Sequence, residues 1–407
     1  MTANTNAPET SDLADDVLPQ GFRFAGVKAG IKASGKPDVS LIVTDRPAVA
    51  AGVYTTNQVV AAPVVLCRSR TPTSSFRGVV INSGNANACT GDQGDQDAAR
   101  MTQIVADHVG CRADDVLVMS TGVIGHQLPM EKVAAGTVDA YGKLAAGAEA
   151  FSAAATAIMT TDAFRKVQWG NVTIGKNTYK IAAMAKGAGM ISPNMATMLS
   201  VVITDAPLDE NTCQFALKMA ADESFNRVSV DGHTSTNDTL LLISSGEGES
   251  LSGDDLSTFQ QTLNDVCIRL AKLLVADGEG CTHVLAIEVS GAASDTDATL
   301  IAKTIAASPL VKCAITGGDP NWGRIVSAAG YAGPTINPKQ TSLKICGTLI
   351  YENGTPLPFD AKALSQAMKA SSEVLIELAV GKTGASAKYW ASDLTNDYVN
   401  FNSEYTT

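Results

Sequence analysis

The chain has 407 residues, enough for one large domain or two closely packed domains with a sizeable hydrophobic core. Only 5% of the residues are aromatic and 35 are glycine, a composition that favours helices packed closely on sheets and argues against a disordered or fibrous chain. The net charge of −11 argues against nucleic acid as a partner, because neutralising phosphates requires a basic surface.

The N-terminal stretch MTANTNAPETSDLADD is acidic and polar. It has neither the basic, apolar pattern of a signal peptide nor the arginine-rich pattern of a transit peptide. No apolar run in the chain approaches the roughly 20 residues of a membrane helix. We therefore expect a cytoplasmic protein without a membrane segment.

Strand-like and helix-like patterns alternate in the first third of the chain. The β-rich runs GVVIN (78–82) and DVLVMS (115–120) each end in a polar, glycine-containing loop. Between them, Thr90 and an acidic first turn precede apolar residues at helical spacing, which predicts a helix with a threonine N-cap. Both loops are therefore predicted to lie at the carboxyl ends of strands.

The same alternation continues to the C-terminus and predicts an α/β fold. No sequence repeat, charge block or low-complexity linker marks a domain boundary. The remaining predicted elements are, in chain order, an alanine-rich helix in 146–162, a hairpin of 167–175 and 179–187, a buried strand in 197–205, an amphipathic helix in 209–228, a buried strand in 239–246, a long helix in 256–280, a strand in 283–291, a helix near 295–315, a strand-like segment in 342–354, a helix near 360–380 and an aromatic-flanked tail in 398–407.

Metal chemistry and serine-triad chemistry have little support in the sequence. The eight cysteines are scattered, without a Cys-x-x-Cys pair and without histidines at metal-binding spacing, so we expect reduced thiols and no metal site. None of the four histidines lies beside a Gly-x-Ser-x-Gly motif. The motifs MTTD (159–162), VINSGNANACTG (80–91) and TGGDPNWGRI (316–325) fit no Walker or dinucleotide fingerprint.

Thr197 lies where a glycine loop and a Pro-Asn turn meet an apolar run, in KGAGMISPNMATMLSVVITDA (186–206). One interpretation is a threonine that simply begins a strand after a turn. The other is a peptide bond prepared for attack by the side chain that follows it. Oγ of Thr197 would attack the carbonyl of Ala196, and hydrolysis of the resulting ester would leave threonine as a new N-terminus.

Such a cleavage would place a nucleophile and its base in one residue. A threonine hydroxyl is a poor nucleophile at neutral pH, but a free α-amino group has a pKa of about 7.7–8.0, which suits a general base. A nearby Lys186 ammonium would favour the neutral, basic form of that amine. The uncut chain lacks this base, so cleavage would activate the enzyme.

Two further positions have both an ordinary and a catalytic interpretation. Thr121 and Gly122 form either a plain glycine turn after a strand or an oxyanion hole, in which the hydroxyl and the backbone N–H meet the negative oxygen of a tetrahedral intermediate. Glu279, between two glycines, is either a solvated residue at a helix C-cap or a carboxylate that orients an ammonium or amide N–H of a substrate.

Several motifs together resemble those of one family. The chain contains, in that family's order, NSGNANACTG, STGVIG, MTTD, KGAGMISPNMATML, DGEGCTH, GGDPNWGRI and YVNFNSEYTT, which together extend over nearly the whole chain. On these motifs the sequence closely resembles the ornithine acetyltransferases, also called glutamate N-acetyltransferases or arginine-biosynthesis bifunctional proteins. One departure is Cys-Thr-His after Asp-Gly-Glu-Gly, where family members often have Ala-Thr-Lys.

The resemblance implies a self-processed, layered α/β fold of the N-terminal-nucleophile-like type, similar to that of certain aminopeptidases. Cleavage between Ala196 and Thr197 would give an α chain of residues 1–196 and a β chain of residues 197–407. The two chains would form one intertwined unit and assemble as an α2β2 heterotetramer.

The resemblance also assigns roles to individual positions. Thr197 matches the nucleophile that takes the acetyl group, and Thr121 and Gly122 match the oxyanion hole. Thr161 is an alternative to its neighbour Thr160 as a substrate contact. The positions that match substrate-binding residues are Thr160, Lys186, Thr197, Glu279, Asn402 and Thr407.

The implied reaction is a ping-pong transfer of the acetyl group from N2-acetyl-L-ornithine to L-glutamate through an acetyl-threonine intermediate. It needs no cofactor, and acetyl-CoA stays open as a second acetyl donor. Two alternatives remain. An N-terminal-threonine aminopeptidase or amidohydrolase of the same fold would pass the acyl group to water, and an uncut amino-acid-binding protein would use Thr197 only as a strand residue.

Overall fold

The computed structural model describes residues 13–192 and 198–404. Helices and strands alternate throughout, which confirms the predicted α/β class. The described chain divides into two compact units. The larger comprises 13–226 and 233–274, and the smaller comprises 227–232 and 275–404.

Strands form where β-branched and apolar residues run between polar or glycine-containing turns. The predicted strands near 80 and 118 are confirmed, as is the predicted hairpin. In chain order the strands are β1 (Phe22–Val27), β2 (Val39–Tyr54), β3 (Thr73–Asn85), β4 (Val116–Val123), β5 (Lys166–Ile174), β6 (Asn177–Lys186), β7 (Leu199–Thr204), β8 (Val228–Ser229), β9 (Thr239–Ser244), β10 (Val284–Ala292), β11 (Ser342–Ile345), β12 (Thr348–Glu352), β13 (Thr355–Pro356), β14 (Glu373–Ala379) and β15 (Ala385–Ser392).

Several helices begin at a side chain that accepts a backbone N–H of the first turn. Asp209, for example, accepts from the N–H of Thr212 at 2.7 Å. In chain order the helices are α1 (Ala62–Arg70), α2 (Gly91–Val109), α3 (Met130–Gly142), α4 (Ala148–Ala157), α5 (Glu210–Glu223), α6 (Gly253–Ala276), α7 (Asp295–Ala307), α8 (Pro309–Gly317), α9 (Trp322–Gly330), α10 (Ala361–Ala370) and α11 (Asn396–Glu404).

Two helix predictions are wrong in extent. The helix predicted near 295–315 is divided into α7 and α8, because Pro309 cannot donate to the preceding turn and Ser308 begins a new helix by accepting the N–H of Val311. The helix predicted near 360–380 ends at Ala370, and the residues of β14 continue as a strand. No single described helix is long and apolar enough to span a membrane, and only α7 joined to α8, across a 62° bend, reaches that length and composition.

The larger unit is built on a sheet that has, in its described part, the strand order β4-β3-β2-β9-β7-β6-β5, with β1 paired to β2. The pairs β3–β4 and β7–β9 are parallel, and β6–β7 is antiparallel. Strands β7 and β9 are buried along their whole length, because their continuous apolar runs are covered on both faces. Strands that precede and follow the predicted cleavage position therefore share one sheet.

The smaller unit has its own sheet, with the described strand order β13-β12-β11-β14-β10-β15-β8. Strand β14 buries alternate residues, Val374, Ile376 and Leu378, as expected of a sheet with one face on the core. Helix α7 packs on β10 and β15. Each unit therefore has its own hydrophobic core.

Candidate active site

Thr121 and Gly122 lie near the end of β4, at a bulge in its pairing with β3. Asn85 is opposite both Thr121 and Val123, so the regular parallel register stops here. Gly122 has a φ of 134°, and a Cβ at this position would lie 2.3 Å from the carbonyl carbon of Gly84. A glycine is therefore required, since no side chain fits this approach. Bulges of this kind re-aim residues at the rims of sheets.

Lys186, at the end of β6, contacts Thr121. Its Nζ donates a hydrogen bond to Thr121 Oγ1 at 3.1 Å, and both residues are buried. A hydroxyl can accept one hydrogen bond and donate another, so the Thr121 hydroxyl can still donate its proton to a further acceptor. Lys186 also pairs with Leu199, which follows Thr197 by two positions in the sequence. The fold thus brings together three predicted positions, 121, 122 and 186.

The buried carboxylate of Asp162 ties the loop that carries Thr160 to the end of β6. Its Oδ1 accepts from Lys166 Nζ at 2.6 Å and from the Gly187 N–H at 2.7 Å. Its Oδ2 accepts from the Thr160 N–H at 2.8 Å. Burial opposes ionisation of Asp162, but the charges of Lys166 and Lys186 outweigh it, so the pKa of this carboxyl lies below its usual value. A buried ion pair therefore holds this predicted substrate loop.

Asn237, just before β9, holds the end of β4. Its Nδ2 donates to the carbonyl oxygen of Ser120 at 2.9 Å and to that of Ala86 at 2.6 Å. The Ser120 carbonyl belongs to the peptide bond that precedes Thr121. The amide of Asn237 therefore fixes the backbone on which the predicted oxyanion pair depends.

Asp238, the next residue, is fully buried. Its Oδ1 accepts from the Met198 N–H at 3.1 Å, and the Thr239 N–H donates to the Met198 carbonyl at 3.1 Å. Its Oδ2 has no hydrogen-bond partner among the residues that the structure describes. Burial raises the pKa of Asp238 well above its ordinary value, against the opposing effect of the Met198 N–H. The neutral carboxyl is therefore favoured.

In the smaller unit, Glu279 and Asn402 contact each other. Asn402 Nδ2 donates to Glu279 Oε2 at 3.1 Å and to the Tyr398 carbonyl at 3.0 Å. Gly280 has a φ of 72°, and a Cβ there would lie 2.5 Å from the Tyr398 nitrogen. Glycine therefore lets the loop that carries Glu279 approach α11 closely. These two predicted positions are thus also brought together.

The Cys-Thr-His departure follows Glu279 and forms a cluster on the buried carboxylate of Asp393. The Thr282 N–H donates to Asp393 at 2.9 Å, Thr316 Oγ1 donates at 3.2 Å, and His283 Nδ1 lies 3.3 Å from Oδ2. The hydrogen bond to Asp393 raises the pKa of His283. Burial opposes ionisation of Asp393, but His283 and Thr282 outweigh it and hold its pKa below the ordinary value.

This pair predicts a pH-dependent contribution to stability. Because its folded pKa is raised, His283 stabilises the fold fully below its unfolded pKa of about 6.5, and the effect is lost as pH rises through the folded pKa. The melting temperature of His283→Gln is therefore expected to fall further below that of wild type at about pH 5.5 than at about pH 8.5. The control is His126→Gln at an exposed position, and an equal difference at both pH values would contradict the prediction.

Comparison with known proteins places the chain in a family. The sequence model of the ArgJ family matches residues 23–407. The chain belongs to the ArgJ family. It is 61% identical over 406 residues to the arginine biosynthesis bifunctional protein ArgJ of Rhodopirellula baltica, a match that covers 98% of this chain and 99% of the relative. The corresponding protein of Nitratidesulfovibrio vulgaris is 46% identical over 391 residues, covering 95% and 98%.

Among solved structures, the chain is similar to an ornithine acetyltransferase of Mycobacterium tuberculosis in complex with ornithine. The identity is 38%, the match covers 45% of this chain and 95% of that chain, and the TM-score is 0.40. Membership of the ArgJ family confirms the resemblance predicted from the motifs, and with it the prediction of an acetyltransferase of arginine biosynthesis.

Some predicted positions of this ArgJ-family chain fall outside the described residues. Ala196, Thr197 and Thr407 do so, and their roles and the cut between 196 and 197 stay predictions. Thr160 and Thr161 are both half-buried in the loop before β5, where the choice between them also stays a prediction. Within 13–192 and 198–404, no group of three or more His, Cys, Asp or Glu side chains could hold a metal ion.

Two other family motifs make local hydrogen bonds. Thr90 is at the N-cap of α2, but its Oγ1 donates to Asn87 Oδ1 at 2.8 Å and accepts no helical N–H, so the predicted threonine cap is wrong in its bonding. Asn87 Nδ2 in turn donates to the Gly94 carbonyl at 2.8 Å. In the second motif, Asn321 caps α9 by accepting the N–H of Arg324 at 3.2 Å.

Sequence reasoning missed four residues of the site, Asp162, Lys166, Asn237 and Asp238. The motif MTTD contains the predicted contact Thr160 and its alternative Thr161, and the acid and base spaced four residues apart at 162 and 166 are a usable signal for the ion pair. Asn237 and Asp238 lie in an ordinary polar segment, HTSTND, that precedes an apolar strand. The backbone groups that they bind are remote in sequence, so no local sequence pattern indicates these two residues.

Proposed function

We propose that this chain transfers the acetyl group of N2-acetyl-L-ornithine to L-glutamate through an ester on Thr197. The observation that supports this best is the hydrogen bond from Lys186 to the Thr121 hydroxyl beside Gly122. A hydroxyl that accepts a hydrogen bond from an ammonium is a stronger hydrogen-bond donor, and the N–H of Gly122 supplies a second donor. Two such donors suit a developing oxyanion.

The proposed chemistry begins with self-cleavage. Oγ of Thr197 attacks the carbonyl of Ala196, the peptide nitrogen becomes a free α-amine, and water hydrolyses the ester. The products are an α chain of residues 1–196 and a β chain of residues 197–407, proposed to assemble as an α2β2 heterotetramer in the cytoplasm.

In the transfer itself, the Thr197 α-amine takes the proton of its own hydroxyl as Oγ attacks the acetyl carbonyl. The acetyl–nitrogen bond breaks, and ornithine leaves with that proton on its α-amino group. The α-amine of glutamate then attacks the ester, Oγ leaves, and the hydroxyl regains a proton. The reaction needs no cofactor.

Donor and acceptor share an α-amino-acid head, so one set of polar groups can bind both. A carboxylate such as Glu279 suits the ammonium of a bound amino acid. Acetyl-CoA remains an open second donor, which an assay of glutamate acetylation with acetyl-CoA alone would decide. The proposed contacts are Thr160, Lys186, Thr197, Glu279, Asn402 and Thr407.

Two measurements on the wild-type protein test the proposal. Denaturing mass spectrometry should find two fragments that join at 196 and 197. With N2-acetyl-L-ornithine carrying a labelled acetyl group, the label should appear on glutamate. Free labelled acetate in the presence of saturating glutamate would instead indicate an amidohydrolase or aminopeptidase, and one intact, inactive chain would indicate an amino-acid-binding protein.

Thr121→Ala tests the oxyanion hole. Loss of this donor should lower kcat by about 10²–10³-fold and slow self-cleavage, with little change in KM. Thr137→Ala is the matched control, because it removes a buried hydroxyl that donates to the Val133 carbonyl within α3. A kcat for Thr121→Ala that equals that of the control would exclude this role.

A further inference from the structure

Two adjacent side chains, Asn237 and Asp238, hold two separate peptide bonds of the proposed site. Asn237 binds the carbonyl of the Ser120–Thr121 peptide bond at 2.9 Å. Asp238 binds the N–H of the Thr197–Met198 peptide bond at 3.1 Å. The first peptide bond immediately precedes the oxyanion pair in the chain, and the second immediately follows the proposed nucleophile.

A hydrogen bond to a peptide group constrains more than one atom. The peptide unit is planar, so fixing its N–H or carbonyl also limits the Cα atoms on both sides. The Asn237 side chain and the Asp238 backbone are themselves anchored. Thr236 Oγ1 donates to Asn237 Oδ1 at 2.6 Å, and the Thr55 N–H donates to the Asp238 carbonyl at 3.0 Å.

Stability alone does not account for a carboxyl at position 238. Asp238 is fully buried, and burial of a carboxyl group is costly for folding unless hydrogen bonds compensate it. The strand β9 that follows is apolar, and an apolar side chain would pack there at lower cost. The contact with Met198 is the feature that only a hydrogen-bond acceptor can provide.

We propose that Asn237 and Asp238 form a clamp that holds the Met198 N–H, which follows the proposed nucleophile in the chain, in place relative to the oxyanion pair, Thr121 and Gly122. They are positioning residues and take no part in bond making. The inference rests on the proposed function. Because catalysis depends on reacting groups being held within about 1 Å, release of either peptide bond should cost about 100-fold in rate.

The test compares Asp238→Ala, Asn237→Ala and Asp238→Asn in the full chain. The two alanine variants should show kcat about 100-fold below wild type and slow self-cleavage, with KM changed by less than about threefold. Asp238→Asn should stay within about threefold of wild type, because its amide oxygen still accepts the Met198 N–H. If Asp238→Ala fails to fold, Asp238→Glu should show the same loss of kcat, because its side chain is longer by one methylene and displaces the acceptor oxygen.

The matched control is Ser244→Ala, at the other end of β9, whose hydroxyl donates to the Ala206 carbonyl at 2.5 Å. It should lower the melting temperature as the alanine variants do and leave kcat unchanged. A kcat for Asp238→Ala equal to that of Ser244→Ala would overturn the clamp. An equal loss of kcat in Asp238→Asn would also overturn the clamp. The effect would then depend on the acid group itself and not on a hydrogen-bond acceptor at this position. A wild-type protein that transfers no acetyl to glutamate would overturn the proposed function, and the clamp with it.

Discussion

The Thr197→Ala variant is expected to remain a single chain of 407 residues and to lose acetyl transfer. Without Oγ, neither the attack on Ala196 nor the attack on the acetyl group can occur, and the uncut chain has no α-amine at this position. Removal of a nucleophile that acts with its base typically lowers kcat by a factor on the order of 10⁵–10⁶. Denaturing mass spectrometry and the labelled-acetyl assay measure the two losses separately.

Thr197→Ser is the matched variant, because it keeps a hydroxyl and an α-amine after cleavage. It should be cut between 196 and 197 and should retain part of the transfer activity. A Thr197→Ala protein that still runs as two fragments, or still exchanges acetyl groups, would refute Thr197 as the nucleophile. A Thr197→Ala protein that is not cleaved but still transfers acetyl groups at the full rate would show that Thr197 acts in self-cleavage and not in transfer.

The Lys166→Met variant is expected to be strongly destabilised. Lys166 and Asp162 are paired at 2.6 Å with both side chains fully buried. Removing one partner leaves a buried carboxylate without its nearest cation, which typically costs about 3–5 kcal/mol in the free energy of unfolding. The urea midpoint of the uncut Thr197→Ala background would measure this, since separation of the two chains then does not contribute.

Lys143→Met provides the control for the loss of an ion pair as such. Lys143 pairs with Asp139 at 2.8 Å, with the same spacing of four residues, but both side chains are exposed. Such a surface pair contributes about 0–1 kcal/mol. Equal urea midpoints for the Lys166 and Lys143 variants would contradict the expected cost of leaving the Asp162 carboxylate buried without its cation.

The sequence was most informative where the local residue pattern and the tertiary surroundings favour the same secondary structure. The hairpin of β5 and β6 and the buried strand β7 follow from runs of apolar and β-branched residues between turns, and all are present. The helix predicted near 360–380 was wrong at its end. There, alternation in Glu373–Ala379 matches a strand that pairs with β10 and β11, and those partners are remote in sequence.

For the site, the sequence by itself determined which residue types were available. A glycine at 122, a hydroxyl at 121 and a lysine at 186 were all recognisable as candidates from motif and position. The family resemblance is carried by the motifs, and the comparison with relatives confirms it.

Only the tertiary structure decided which of these groups meet. The contact between Lys186 and Thr121 joins residues 65 positions apart. The contact between Asn237 and Ser120 joins residues 117 positions apart. Such pairs arise from the order and register of strands in one sheet, which is a property of the whole fold. The roles of Asn237 and Asp238 were therefore invisible in the local sequence, because each depends on a backbone group that another strand or loop supplies.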